Sequence, residues 1–187
     1  MEKVIIFSAP SGSGKSSIIN NLLNGKLPLE FSISATSRKP RGEEQDGKEY
    51  YFFSREEFKQ RIADDEFLEW EEVYAGCFYG TLKTELERIW MKEKVVLFDV
   101  DVIGGLNIKK IFGDKALAIF VEPPSIEVLR ARLNKRATDT TEKIEERIAK
   151  AEFELGFAKE FDVIIVNENL SLAQKEAEQL IKKFIED

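Results

Sequence analysis

Val4-Ile-Ile-Phe7 followed, after Ser8, by Ala9-Pro-Ser-Gly-Ser-Gly-Lys-Ser16 is the stretch on which the fold turns. Four apolar residues in a row have the length of a strand buried on both faces. Ile18, Ile19, Leu22 and Leu23 then fall on one face of a helix. The segment is therefore strand, glycine-rich loop, helix. Gly12 and Gly14 permit backbone angles that turn successive N–H groups inward, an anion nest at the positive end of the helix. Lys15 can reach the outer phosphates of a nucleotide, and the Ser16 hydroxyl can ligate Mg²⁺. Ala9 stands where such loops usually begin with glycine, which requires a negative φ at that residue.

Outward from this loop, three more apolar runs read as buried parallel strands: Val95–Phe98, Ala116–Val121 and Val163–Val166. Helical patterns lie between them. Leu82, Leu86, Ile89 and Trp90 precede the second run, and Ile126, Leu129 and Leu133 follow Pro123-Pro124, with Ser125 placed as a cap. A capping box, Ser171–Gln174, is expected to open the last helix, whose apolar side carries Ala173, Ala177, Leu180, Ile181, Phe184 and Ile185. This alternation predicts an α/β fold, a parallel sheet with helices on both faces.

Two stretches break the rhythm. Residues 34–81 gather Arg, Gly and Tyr, with an aromatic run at Tyr50–Phe53 and a capping box at Ser54–Glu57, and read as an inserted β-rich subdomain. Residues 130–150 are dense in charge and on that ground alone read as a solvated helical hairpin.

At 187 residues the chain fits one unit with small insertions, and 43% apolar against 34% charged residues is a globular balance rather than a disordered one. The net charge of −7 argues against non-specific binding to nucleic acid or an anionic membrane. No apolar run reaches the length of a membrane span. Cys77 is the only cysteine, so no internal disulfide forms, and a reducing cytoplasm is expected. There is no histidine, which leaves the chemistry to carboxylates, lysines, arginines and hydroxyls.

Several motifs resemble guanylate kinases, and together they run from the first strand to the last helix: APSGSGKS (9–16), SATSRKPRGEE (34–44), GKEYYF (47–52), EFLEW (66–70), FYGT (78–81), DVD (99–101) and RLNKRATDT (132–140) with Arg147. The run S-x-T-S-R-x-P-R followed by G-K-x-Y is far more specific than the phosphate loop. The resemblance implies a P-loop core with a five-stranded parallel sheet (1–33, 82–124 and 157–187), a GMP-binding subdomain (34–81) and a helical lid (125–156). It implies transfer of the γ-phosphate of ATP to GMP, and to dGMP, with Mg²⁺; the sequence leaves monomer and homodimer both open. On this reading Ala9, Pro10, Ser11, Gly12, Ser13, Gly14, Lys15, Ser16 and Ser17 hold ATP, and Ser16 and Asp99 stand on the metal side. Ser34, Arg38, Arg41, Tyr50, Glu69, Tyr79, Thr81 and Asp101 hold GMP. Lys15, Arg38, Arg41, Arg132, Arg136 and Arg147 act on phosphate, the last three from the lid. Ile103 departs from the family, which usually has a glutamine there.

Residue chemistry supports the same assignment. Guanidinium forks at Arg38 and Arg41 suit a phosphate dianion. Glu69, between Leu68 and Trp70, needs a partner if buried, and guanine offers N1–H and N2–H₂ on one edge. Adenine presents a lone pair at N1 and would be repelled. Thr81 can serve guanine O6 or cap the helix beginning at Leu82. Asp99 and Asp101 close a strand at its C-terminal end, where α/β sheets keep their ligands. The rival is a catalytically inactive guanylate-kinase-like protein-binding module, against which the intact loop, the lid arginines and Asp99 argue. Closure of insertion and lid about residues 33–34, 81–82, 124–125 and 156–157 is expected.

Overall fold

Val4, Ile5, Ile6 and Phe7 are wholly buried in β1 (Val4–Ser8), the middle strand of a five-stranded parallel sheet. The computed structural model describes residues 2–135 and 140–187; Arg136, one of the three lid arginines, lies outside them. The sheet order is β2 (Leu29–Phe31), β7 (Val95–Asp99), β1, β8 (Ala116–Glu122) and β9 (Val163–Val166). All its pairings are parallel. The four apolar runs are thus four of the strands. The fifth, β2, has only three residues, too few to show a period.

Alternation along β1 builds two cores. Ile5 and Phe7 pack with Ile18 and Leu22 of α1 (Lys15–Leu23) and with Ala177 and Ile181 of α7 (Leu170–Glu186). Val4 and Ile6 face the other way, onto Leu86 and Ile89 of α3 (Lys83–Trp90) and Ile108 of α4 (Val102–Phe112). Burying each of these large side chains contributes about 1.5–3 kcal/mol relative to exposure. No described helix is long and apolar enough to cross a membrane.

Two helix starts differ from expectation. The cap of α7 is Asn169, whose side-chain oxygen accepts the Leu172 N–H at 3.2 Å, and not Ser171. Asparagine caps as well as serine, and Gln174 instead donates to the Ser17 carbonyl of α1 at 3.1 Å. At α3 no side chain caps the helix, because the Thr81 hydroxyl is engaged elsewhere. Ser125 does cap as expected: its Oγ accepts from Val128 N at 3.2 Å.

The insertion holds β3 (Ala35–Thr36), β4 (Tyr51–Phe52), α2 (Arg55–Ala63), β5 (Phe67–Tyr74) and β6 (Cys77–Leu82), with sheet order β4-β3-β6-β5. Phe58 of α2 stacks on Phe67 at 4.3 Å between ring centroids and makes this piece a core of its own. The Ser54–Glu57 capping box is present in both directions. The charged stretch is a hairpin of α5 (Ile126–Lys135) and α6 (Thr141–Leu155), closed on Leu129, Leu133, Ile144 and Ile148.

Candidate active site

Local backbone shapes the loop after β1. Gly12 and Gly14 both have φ of 97°, in the left-handed region that a side chain disfavours. A Cβ at Gly14 would also lie 2.2 Å from Asn167 Nδ2. That amide donates to the Ser13 carbonyl at 2.6 Å, and Arg132 reaches the same carbonyl at 3.3 Å and the Asn167 carbonyl at 2.9 Å. Ala9 is not among the positive-φ residues, so its methyl fits where glycine is usual. Across the sheet edge, the Ser8 hydroxyl sits 3.0 Å from the carbonyls of both Val100 and Asp101 and ties β1 to the end of β7.

A cavity of about 480 Å³ opens from this loop. Residues 9–17 form one wall, with Asp99 and Asp101 beside them; Ser34, Tyr50, Glu69 and Tyr79 of the insertion form another; Arg147 of α6 closes over it. Residues from three separated parts of the chain thus share one space. Lys15 Nζ forms an ion pair with Asp99 Oδ1 and lies 3.5 Å from the Val100 carbonyl. Ser16, in the first turn of α1, and Asp99 offer one hydroxyl and one carboxylate. Among the described residues no group of three or more His, Cys, Asp or Glu could hold a metal by itself. So sparse a set of hard oxygens suits Mg²⁺, which keeps several waters and leans on substrate phosphates.

In the insertion, Arg38 is held on three sides. Its guanidinium grips Glu44 bidentately at 2.6 and 2.8 Å, its Nε donates to the Tyr79 hydroxyl at 3.1 Å, and its Cζ lies over the Tyr50 ring, 4.9 Å from the ring centre. Glu44 also accepts the Arg41 N–H at 2.8 Å, while the Arg41 side chain extends towards solvent. These contacts pull the Glu44 carboxyl down to about 2, chiefly through Arg38.

Glu69 and Thr81 face each other across the β5–β6 pair, and the buried Thr81 hydroxyl donates to Glu69 Oε1 at 2.8 Å. Gly104 keeps the neighbouring space clear: a Cβ there would lie 3.4 Å from both Glu69 Oε2 and Asp101 Oδ1. Burial raises the Glu69 carboxyl to about 7; the Thr81 bond opposes this, and repulsion from Asp101 and Glu71 adds to it. Asp101 caps α4, with Oδ1 accepting Gly104 N–H at 2.8 Å.

Of the expected site residues, Ser34, Tyr50, Glu69, Tyr79, Asp99, Asp101, Arg147 and residues 9–17 line the cavity. Thr81 and Arg38 stand behind lining residues, and Arg132 grips the loop's backbone rather than reaching into the space. Sequence reasoning missed Glu71, Lys150, Glu154 and Asn167, all at the cavity or its loop. Spacing carried the signal. Glu71 is two residues past Glu69 on one strand, and Lys150 and Glu154 share a helix face with Arg147. Asn167 follows the C-terminal end of a parallel strand.

The guanylate kinase family model matches residues 1–184. The chain is 60% identical over 183 residues to a guanylate kinase of Bacteroides fragilis, covering 98% of this chain and 90% of that one. It is 58% identical over 186 residues to a guanylate kinase of Porphyromonas gingivalis, covering 99% of each. The crystal structure of guanylate kinase from Anaplasma phagocytophilum is similar at a TM-score of 0.74 and 28% identity, over 97% of this chain and 85% of that one.

Proposed function

The chain belongs to the guanylate kinase family, and from that premise we propose that it moves the γ-phosphate of ATP onto GMP or dGMP, yielding ADP and GDP or dGDP. The observation that carries the reading is a single cavity joining a phosphate nest to a carboxylate suited to guanine. ATP phosphates fit the N–H groups of residues 9–17, with Lys15 on the outer phosphates. Ser16 and Asp99 would hold Mg²⁺, which when bound neutralises charge on the phosphate oxygens.

On the acceptor side, Arg38, Arg41, Tyr50 and Tyr79 suit the GMP phosphate, with Glu44 holding Arg38 in its orientation. Ionised Glu69 accepts from guanine N1–H and N2–H₂, with Asp101 near the amino group and Ser34 able to donate to O6. Because the Thr81 hydroxyl already donates to Glu69, its part is to aim that carboxylate. The GMP phosphate is itself an anionic nucleophile, so no general base is required. Arg147, which donates to the Ser11 hydroxyl at 2.9 Å, stands where charge on the transferring group would be offset. Arg132 supports the loop from behind. We assign the activity to the cytoplasm, which the lone cysteine supports.

Phosphorus NMR of a mixture of ATP, GMP, Mg²⁺ and protein tests the proposal. GDP and ADP should appear in equal amounts, and Lys15→Ala, which removes the cation from the nest, should slow the exchange by roughly 10³ or more. ADP appearing without GDP, or normal turnover by folded Lys15→Ala, would contradict it.

A further inference from the structure

Outside the cavity, Glu85, in the first turn of α3, is a buried acid only 2% exposed. A buried carboxylate is costly unless its oxygens are satisfied. Here both are. Oε2 accepts the Ile33 N–H at 2.9 Å and Arg88 at 2.9 Å, while Oε1 accepts the Tyr51 hydroxyl at 2.7 Å and Arg88 Nε at 2.8 Å. Burial would raise this carboxyl; the bonds from Arg88, Ile33 and Tyr51 outweigh it and hold it below the usual range. Arg88 goes on to the core strand β2, pairing with Glu30 and reaching the Phe31 carbonyl at 3.3 Å. Glu30 also takes Lys92 at 2.7 Å and Lys94 at 3.0 Å.

The placement of these partners gives the network its meaning. Ile33 is the last residue before Ser34 on the way into the insertion, and Glu85 follows shortly after Thr81 on the way out. Tyr51 is the neighbour of Tyr50, and its N–H donates to the Ser34 carbonyl at 2.9 Å. Tyr50 in turn carries Arg38 on its face. One carboxylate therefore holds both chain crossings and β4, while its hydrogen bonds include none to the phosphate loop, Lys15 or Asp99.

We propose that Glu85 is a positioning residue for the acceptor nucleotide, fixing Ser34 and Tyr50 by anchoring the Ile33 N–H and the Tyr51 hydroxyl to the core. This rests on reading the insertion as the GMP site. Losing an anchor lets Ser34 and Tyr50 drift and weakens GMP capture without touching the ATP side.

Steady-state kinetics with GMP and ATP varied separately test it, on the wild type, Tyr51→Phe and Glu85→Gln. Tyr51→Phe keeps the ring that packs in the insertion core and removes one hydrogen bond to a charged group, so the KM for GMP should rise about tenfold. The KM for ATP should not change. In Glu85→Gln an amide N–H₂ meets the Arg88 donors, so the loss should be larger, and adding Tyr51→Phe to it should cost less than it does alone. An unshifted KM for GMP in folded Tyr51→Phe overturns the inference, as does a matching rise in the KM for ATP. If Glu85→Gln does not fold, Tyr51→Phe decides alone. A wild type that does not use GMP overturns the functional reading and this inference with it; GMP use with an unshifted KM overturns this inference only.

Discussion

Glu69 shows how a residue can be placed for function at the expense of the empty fold. Its carboxyl stands near 7, raised chiefly by burial, whereas in the unfolded chain it stands at about 4.3. The folded state therefore binds this proton more tightly, and stability falls as pH rises from about 4.3 through 7. Above 7 the ionised group destabilises the ligand-free protein, yet ionised is the form that guanine needs. We expect Glu69→Gln to raise the melting temperature at about pH 8, and the gain to shrink at about pH 5, where the native carboxyl is already protonated. Calorimetry at the two pH values checks this, and a gain independent of pH would show that Glu69 is not held near 7. Glu69 was legible in sequence because a carboxylate between Leu68 and Trp70 demands an explanation. Its raised pKa was not, since the burial that chiefly raises it, and the lesser repulsion from Asp101 at the start of α4, exist only once insertion and core pack together.

At the scale of elements, legibility followed length and burial. Strands β1, β7 and β8 announce themselves because both faces are covered and no polar residue interrupts their apolar runs, whereas β9, equally apolar, is an edge strand that buries only Ile165 and leaves Ile164 and Val166 exposed. In contrast, β2, β3 and β4 have two or three residues each, and only the folded sheets define them. The hairpin of α5 and α6 was legible as helices, but Arg132 and Arg147 divide their work in a way that only geometry shows. Arg132 on α5 binds carbonyls of the phosphate loop and of Asn167, and Arg147 on α6 reaches into the cavity. Arg147→Ala should accordingly lower kcat more than it raises the KM for GMP, since its contribution belongs to the transferring group. Equal effects on both constants would assign Arg147 to substrate capture instead.

The whole molecule assembles its cavity from the core, the insertion and the hairpin, each with its own apolar cluster. In-line transfer needs donor, acceptor and arginines within a few ångströms and needs bulk water kept out. We propose that the insertion and hairpin turn towards the core as nearly rigid pieces when both nucleotides bind. The radius of gyration from small-angle scattering should fall when GMP and a non-hydrolysable ATP analogue are added together. An unchanged curve with binding verified separately would contradict closure. That three remote stretches of sequence form one site was legible only through the family resemblance, because periodicity within each stretch carries no information about the others. The claim uniting them is that this cavity phosphorylates a guanine nucleotide, and a coupled assay of ADP production with GMP, AMP, UMP and CMP as alternative acceptors tests it most directly. We expect the kcat/KM for GMP to exceed that for AMP by roughly 10⁴, the discrimination of a site that hydrogen-bonds its substrate; comparable turnover of AMP would contradict the assignment of Glu69 and of the acceptor.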